Sequence, residues 1–175
     1  MIETDRLTLR PAVDADREAI AAMNGDPRVG YWLGGARDRA ASDAFVDQHM
    51  AYVAEHGFGF WVVERRADRA VLGMAGLWHV FDAYPFGRPI QIGWRLVHDA
   101  WGQGYATEAA LAARDHAFQV LKLPELIAIT AGKNLASQSV MRRIGMVQDA
   151  ARDFDHSAVP EGDDLRPHVT FAVRP

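Results

Sequence analysis

A strand-like run at residues 90–97 leads into Trp101-Gly102-Gln103-Gly104-Tyr105-Ala106-Thr107-Glu108-Ala109, and no other junction constrains the chain as much. Two glycines one residue apart permit a tight turn and let amide N–H groups face outward with no Cβ above them. The residues after the turn have helical periodicity. Those amides therefore fall at a helix start, where the first N–H groups lack partners and the macrodipole is positive. Strand, glycine turn and helix N-terminus together suit a phosphate or pyrophosphate. A glycine turn that merely reverses the chain would look the same in isolation, so the rest of the sequence has to decide.

The helix is expected over residues 104–121. Ala106, Ala109, Ala110, Ala113, Ala117, Val120 and Leu121 share one stripe, whereas Arg114, Asp115 and Gln119 fall mostly off it. Alanines on a buried stripe let a helix lie close to a sheet. Pro124 separates it from residues 126–131, apolar on both faces as a covered central strand should be. A short helix is expected over residues 134–144, stopped by Gly145. Asn134 suits its N-cap.

Upstream, Arg6-Leu7-Thr8-Leu9-Arg10 alternates like a strand and stops at Pro11. Asp14 opens a short helix that turns Ile20 and Met23 inward and ends near Gly25-Asp26-Pro27. Residues 28–39 read as a loop containing Tyr31-Trp32. Ser42 is the expected N-cap of a second helix, with Phe45, Val46, His49, Met50 and Val53 on one face. Strands are expected at residues 58–64, 71–80 and 90–97, the first two joined as an antiparallel hairpin by a polar turn at 65–70. Residues 82–89 are a loop. The tail is polar from Asp149 to Arg166, and residues 168–173 alternate as a last strand. This order fits a single α+β (mixed α/β) domain over residues 1–175, a mixed sheet with helices on both faces.

Composition narrows the function. Of 175 residues, 49% are apolar and 24% charged, ordinary for a globular protein with a sizeable core. A net charge of −4 leaves no basic excess to displace the counterions of a nucleic acid. No apolar run approaches the roughly 20 residues of a membrane helix, and the charged start Met1-Ile2-Glu3-Thr4-Asp5-Arg6 lacks the apolar core of a secretory signal. Absence of cysteine removes disulfides, thiolate nucleophiles and Cys-based metal sites. The expected location is the cytoplasm, with no metal, membrane or nucleic-acid partner. A nucleotide-binding use of the glycine turn is disfavoured: there is no G-x-x-x-x-G-K-[ST], no lysine in the loop, and the turn lies mid-chain.

Taken in order, Arg6-Leu7-x-Leu9-Arg10-Pro11, Ile92-Gly93-Trp94-Arg95-Leu96, the Trp101–Ala109 motif, Asn134-x-x-Ser137 and Gly145-Met146 resemble the GNAT superfamily of acetyl-CoA-dependent N-acetyltransferases. The similarity extends to the RimJ/RimL-like branch, which includes ribosomal-protein N-terminal acetyltransferases, and covers nearly the whole chain. It implies the GNAT fold, a central mixed, mostly antiparallel twisted sheet with helices on both faces and a pair of splayed parallel strands at residues 90–97 and 126–131. The pantetheine arm of acetyl-CoA would pair with the backbone of Trp94, Arg95, Leu96 and Val97. The pyrophosphate would rest on the amides of Gly102, Gln103, Gly104, Tyr105, Ala106 and Thr107, contacts that make Gln103 and Tyr105 replaceable as side chains but not Gly102 and Gly104. Asn134 would bond the pantetheine and Ser137 would lie near the sulfur. The acceptor implied is a primary amine, on a peptide N-terminus or a small molecule, taking the acetyl group directly in a ternary complex. Relatives of this kind often form homodimers, although no dimer face is marked in the sequence.

Acetyl transfer needs a neutral amine, an N–H donor for the developing oxyanion, and at most modest help for the departing thiolate, whose reference thiol pKa is about 8.5. A backbone N–H at the end of the 90–97 strand, aimed by a local bulge, is the expected oxyanion donor. Two positions depart from the superfamily pattern. Met141 stands seven residues after Asn134, where a tyrosine acid is common, which leaves Ser137 as the substitute proton donor. Trp101 replaces the usual Gln or Arg at the start of the glycine motif. The general base is open: Gln91 stands where some relatives carry glutamate, and His79, His98, Asp153 and His156 are alternatives, as is a water chain. These gaps also fit a non-catalytic CoA-binding module of the same fold. Bland roles compete at several positions. Trp94 and Trp101 suit core anchors, and Arg142 and Arg143 suit the dipole of their helix as well as a CoA phosphate. Tyr31-Trp32 and residues 81–86 are candidate walls of the acceptor pocket, and the acidic stretch 149–164 is either a solvated loop or a surface attracting a cationic amine.

Overall fold

The computed structural model describes residues 1–80 and 84–175. In chain order the elements are β1 (Ile2–Glu3), β2 (Leu7–Arg10), α1 (Arg17–Gly25), α2 (Pro27–Gly30), α3 (Arg39–His56), β3 (Phe60–Arg65), β4 (Val71–His79), β5 (Ile90–Leu96), α4 (Tyr105–Gln119), β6 (Leu126–Ala131), α5 (Leu135–Arg143), β7 (Val147–Gln148), β8 (Phe154–Asp155) and β9 (Pro167–Val173). The strands form one sheet in the order β1-β2-β3-β4-β5-β6-β9-β7, with β8 also paired to β9. Every described pairing is antiparallel except β5–β6. The mixed sheet expected from the element order, mostly antiparallel as the resemblance implies, is therefore what forms.

Each face has its own core. Alternation along the strands sends Trp61, Val63, Ala75, Leu77, Ile92 and Leu96 to one side, where Ala109, Ala110, Ala113 and Ala117 of α4 and Val140 and Met141 of α5 meet them. Phe60, Val62 and Met74 point to the other side, onto Ile20 and Met23 of α1 and Phe45 and Val46 of α3. The four alanines are fully buried, so α4 sits close to the strands, as its stripe predicted. Val120 does not join them. It follows the last turn of α4 and is 63% exposed.

Three local expectations change. Residues 28–39 contain α2, because the Asp26 carboxylate accepts from the Arg28 amide while Pro27 supplies a preset φ at the first helical position. α3 begins at Arg39, capped by Asp38 through Ala41 N–H. Ser42 thus lies a turn inside, where its hydroxyl accepts from Asn24 Nδ2 at 2.9 Å. The tail adds β7 and β8 as short partners of β9.

Candidate acetyl-CoA cleft

β5 is fully paired with β4 along residues 90–96, from Gly73↔Leu96 to His79↔Ile90, yet it meets β6 at one described point, Gln91↔Ile127. Beyond that point the two parallel strands diverge. The bond from Val97 N–H to Leu72 O fixes which main-chain groups turn which way. By strand alternation, residues 91, 93, 95 and 97 direct their N–H and C=O to β4, and residues 92, 94 and 96 direct theirs to β6. Past the junction, the main-chain groups of Trp94 and the N–H of Leu96 open into the gap, while the Leu96 carbonyl accepts from Trp101 Nε1. No bulge interrupts β5. The register shift lies between Val63 and Glu64 on β3, so divergence of the strands, rather than a bulge, frees the Trp94 amide.

The glycine turn closes the mouth of this gap. Gly102 (φ 75°) and Gly104 (φ 82°) both adopt left-handed backbone. A Cβ on Gly102 would meet nothing within 4 Å, and one on Gly104 only Arg6 Nη2 at 3.4 Å, so the space above the amides is open. The helix behind them starts at Tyr105 with no side-chain cap, leaving its first N–H groups to a ligand. Such a cradle suits a diphosphate.

Side chains brace the turn from below. Arg6 donates to the Gln103 carbonyl at 3.0 Å and pairs with Glu108 at 2.6 Å, and Glu108 also accepts from the Thr4 hydroxyl and the Arg6 amide. Burial disfavours charge on Glu108, but those donors outweigh it and hold its carboxyl below the usual range. Gln103 Nε2 bonds the Asp99 carbonyl. Tyr105 is buried, with the Arg6 guanidinium 4.5 Å above its ring, so its side chain is part of the core and not freely replaceable. Trp101 is partly exposed and bonds Leu96 O through Nε1 at 2.9 Å, a strut across the mouth instead of a core anchor. Trp94 packs half-buried against the α4 core. Ala106 and Thr107 occupy the first turn of α4.

Opposite β5, Asn134 caps α5 by accepting from Ser137 N–H at 3.1 Å, and its Nδ2 has no partner among the described residues. The cap and a ligand contact can thus use different atoms of one side chain. Ser137 stands half-buried in the first turn of α5, and Met141 is in the core. Arg142 lies over Phe171 and bonds Gln138.

The candidate bases do not converge. His79 sits where β4 meets the start of β5, its Nδ1 2.6 Å from the Tyr52 hydroxyl, and burial together with His56 lowers its pKa. His98 lies against Trp101 beside the turn. Asp153 accepts from Thr170 N–H and Gln148, and the His156 ring lies tilted against that of His168, centroids 4.8 Å apart. Gln91 is buried. Four carboxylates of the acidic stretch are paired: Asp149 with Arg152 inside it, and Asp155 and Glu161 with Arg166 and Asp164 with Lys133 outside it. Of the candidate acceptor walls, Phe81 to position 83 lie outside the described residues, while Tyr84 and Phe86 pack with Phe154. Tyr31 and Trp32 meet edge to face. Arg6 and Glu108 stand inside the sequence motifs, where neither had an assigned role. Their charges, ~100 positions apart in sequence, carried no sign that they would meet.

Among the described residues no group of three or more His, Asp or Glu is arranged to hold a metal, and no helix is long and apolar enough to cross a membrane. The sequence profile of the acetyltransferase (GNAT) domain matches residues 6–147. The uncharacterized N-acetyltransferase YnaD of Bacillus subtilis is 27% identical over 173 residues, covering 98% of this chain and 95% of its own. A crystal structure of an acetyltransferase from Agrobacterium tumefaciens superposes with a TM-score of 0.81 at 29% identity, over 99% of this chain and 94% of that one. A GNAT-family acetyltransferase from Bacillus anthracis shares the fold, with a TM-score of 0.82 at 24% identity and coverage of 99% and 97%. Proteins of this family use acetyl-CoA. With its splayed β5–β6 pair and open glycine cradle, the chain belongs to the GNAT acetyltransferase family and is an N-acetyltransferase.

Proposed function

We propose that this domain, spanning residues 1–175, transfers acetyl from acetyl-CoA directly to a primary amine while both are bound, and that it works in the cytoplasm. The observation carrying the proposal is the gap beyond Gln91↔Ile127, which the main-chain groups of Trp94 and the N–H of Leu96 face with no β6 partner opposite, the Leu96 carbonyl being taken by Trp101. Bound in that gap, acetyl-CoA supplies an activated acyl group on a good leaving thiolate. The Trp94 amide is the donor for the developing oxyanion, replacing water with a fixed dipole. Leu96 and Val97 continue the strand edge along the pantetheine, and the amides of Gly102 to Thr107 hold the diphosphate. Asn134 Nδ2 bonds the arm. The amine nitrogen attacks the carbonyl carbon, and as the C–S bond breaks the Ser137 hydroxyl passes its proton to the sulfur and takes one from the nitrogen of the new amide.

The RimJ/RimL-like branch is supported by YdaF of Bacillus subtilis, 27% identical over 146 residues, whose name provisionally makes it a ribosomal N-acetyltransferase. A second reading, a CoA-binding module without turnover, is favoured by the burial of Met141 and Gln91 where relatives place an acid and a base. Calorimetry with acetyl-CoA and a CoA-release assay over small amines and peptide N-termini separate the two. Saturable binding with turnover on some acceptor supports transfer, binding with none supports the module, and preference for NAD or ATP over acetyl-CoA in a thermal-shift panel removes both.

A further inference from the structure

On the sheet face opposite α4, two guanidinium groups share one aromatic ring. The Arg95 guanidinium lies 4.8 Å from the centre of the Phe45 ring and that of Arg37 5.0 Å from it. Arg95 Nη1 donates to Asn24 Oδ1 at 2.6 Å, and Asn24 in turn donates to Ser42. Among the described residues neither arginine has a carboxylate partner, and Arg37 makes no side-chain hydrogen bond. This is unusual for the chain, whose other half-buried arginines are nearly all paired: Arg10 with Asp16 and Glu64, Arg17 with Asp14 and Asp47, Arg152 with Glu125. Partly buried cations are costly unless something negative meets them.

A second, independent feature lies beside them. His49 is buried (8% exposed), its ring set among Phe45, Phe60 and Trp78, and its Nδ1 has no hydrogen-bond partner among the described residues. A buried ring nitrogen left unpaired is unfavourable until a ligand supplies the missing group. Burial, then Arg95 and Arg37, push its pKa down to about 4, so the imidazole is neutral at pH 7 and either donates or accepts, by tautomer. Burial brings Arg95 down to about 9, still charged at pH 7.

These groups stand next to the reacting end of the gap. Arg95 and Gly93 are on β5, and the Trp78 ring lies so close to Gly93 that a Cβ there would meet it at 2.6 Å. The diphosphate cradle begins the helix on the opposite face, so the cations are not part of it.

We propose that the acceptor is an amine that also carries a carboxylate, an amino-acid-like molecule whose carboxylate bridges Arg37 and Arg95 across Phe45, with His49 Nδ1 completing its contacts. This rests on the acetyl-transfer reading and names its substrate class. It sets the chain apart from the spermidine N-acetyltransferase of Vibrio cholerae that shares its fold (TM-score 0.75, 16% identity), because a polycation meets repulsion at two fixed guanidinium groups.

The test compares glycine, methionine and phenylalanine with their amides, and with spermidine, by CoA release. Amidation lowers the pKa of the neighbouring amine and raises its neutral fraction, so intrinsic reactivity favours the amides. The site predicts the reverse, kcat/KM at least tenfold higher for the acids. In Arg37→Gln that ratio should fall by about tenfold, roughly 1.4 kcal/mol of discrimination, and Arg37→Lys should keep part of it. Amides equal to the acids, or spermidine ahead of both, overturn the proposal. If no acceptor turns over, calorimetry on CoA-loaded protein with N-acetylphenylalanine against N-acetylphenylalaninamide decides it by the same ordering. Failure of acetyl-CoA itself to bind sinks the transferase reading, whereas acetyl-CoA binding without preference for the acid sinks the carboxylate site alone.

Discussion

At the scale of single residues, Gly102 and His49 have opposite relations to their surroundings. Gly102 is held at φ 75° with open space above it, so a Cβ there meets no protein atom and yet enters the cradle. Gly102→Val should cost about 1–2 kcal/mol of stability through left-handed strain, lowering Tm by no more than about 8 °C. In calorimetry the same variant should bind acetyl-CoA at least tenfold more weakly. Unchanged affinity would remove the cradle from the site. His49 is crowded and electrically opposed. Its folded pKa lies below the reference of about 6.5, so the unfolded state binds more protons between pH 4 and 6.5. Its contribution to stability is therefore full above pH 6.5 and is lost as pH falls toward 4. Denaturant unfolding of wild type and His49→Gln from pH 4 to 8 should show a steeper acid loss in wild type, and parallel curves would contradict this. The glycines could be read from the sequence because backbone freedom is a property of the residue itself. The setting of His49 could not, since Arg95 reaches Phe45 and Asn24 across 50 and more positions.

At the scale of elements, a buried stripe is easier to read than a boundary. The alanines of α4 repeat at helical spacing over four turns, and all four central ones are buried as expected. Helix starts depend on one side-chain bond, and two polar residues near residue 40 compete for it. Asp38 wins because its carboxylate reaches the Ala41 amide while Ser42 is drawn inward to Asn24. Asp38→Ala should therefore destabilise the protein by about 1 kcal/mol, or about 2–4 °C in Tm, and speed amide exchange in the first turn of α3. Ser42→Ala should leave that turn protected. Equal exchange in the two variants would show that the cap is misassigned. The β5–β6 divergence was implied only by resemblance. β6 is almost wholly apolar and β5 carries only Gln91 and Arg95 among its polar side chains, and no pattern within either records where pairing with the other stops.

At the scale of the whole molecule, one topological feature organises the rest. An otherwise antiparallel sheet has a single described parallel junction, and it parts after one pair. α1 and α3 cover the face that carries the unpaired cations, and α4 and α5 cover the face whose helix start holds the cradle. The gap between β5 and β6 opens between these two faces, and the proposed acceptor site and cradle would bring acceptor and donor to one carbonyl from opposite sides of the sheet. Element order showed that the sheet is mixed and covered on both faces, but not where it opens, because that depends on contacts between segments far apart in sequence. The most direct test is a crystal structure with bound acetyl-CoA. The thioester arm should lie between β5 and β6, bonded to Trp94, with its diphosphate on the amides of residues 102–107. Coenzyme bound elsewhere, or β5 and β6 zipped together with the turn folded onto its own side chains, would contradict the account.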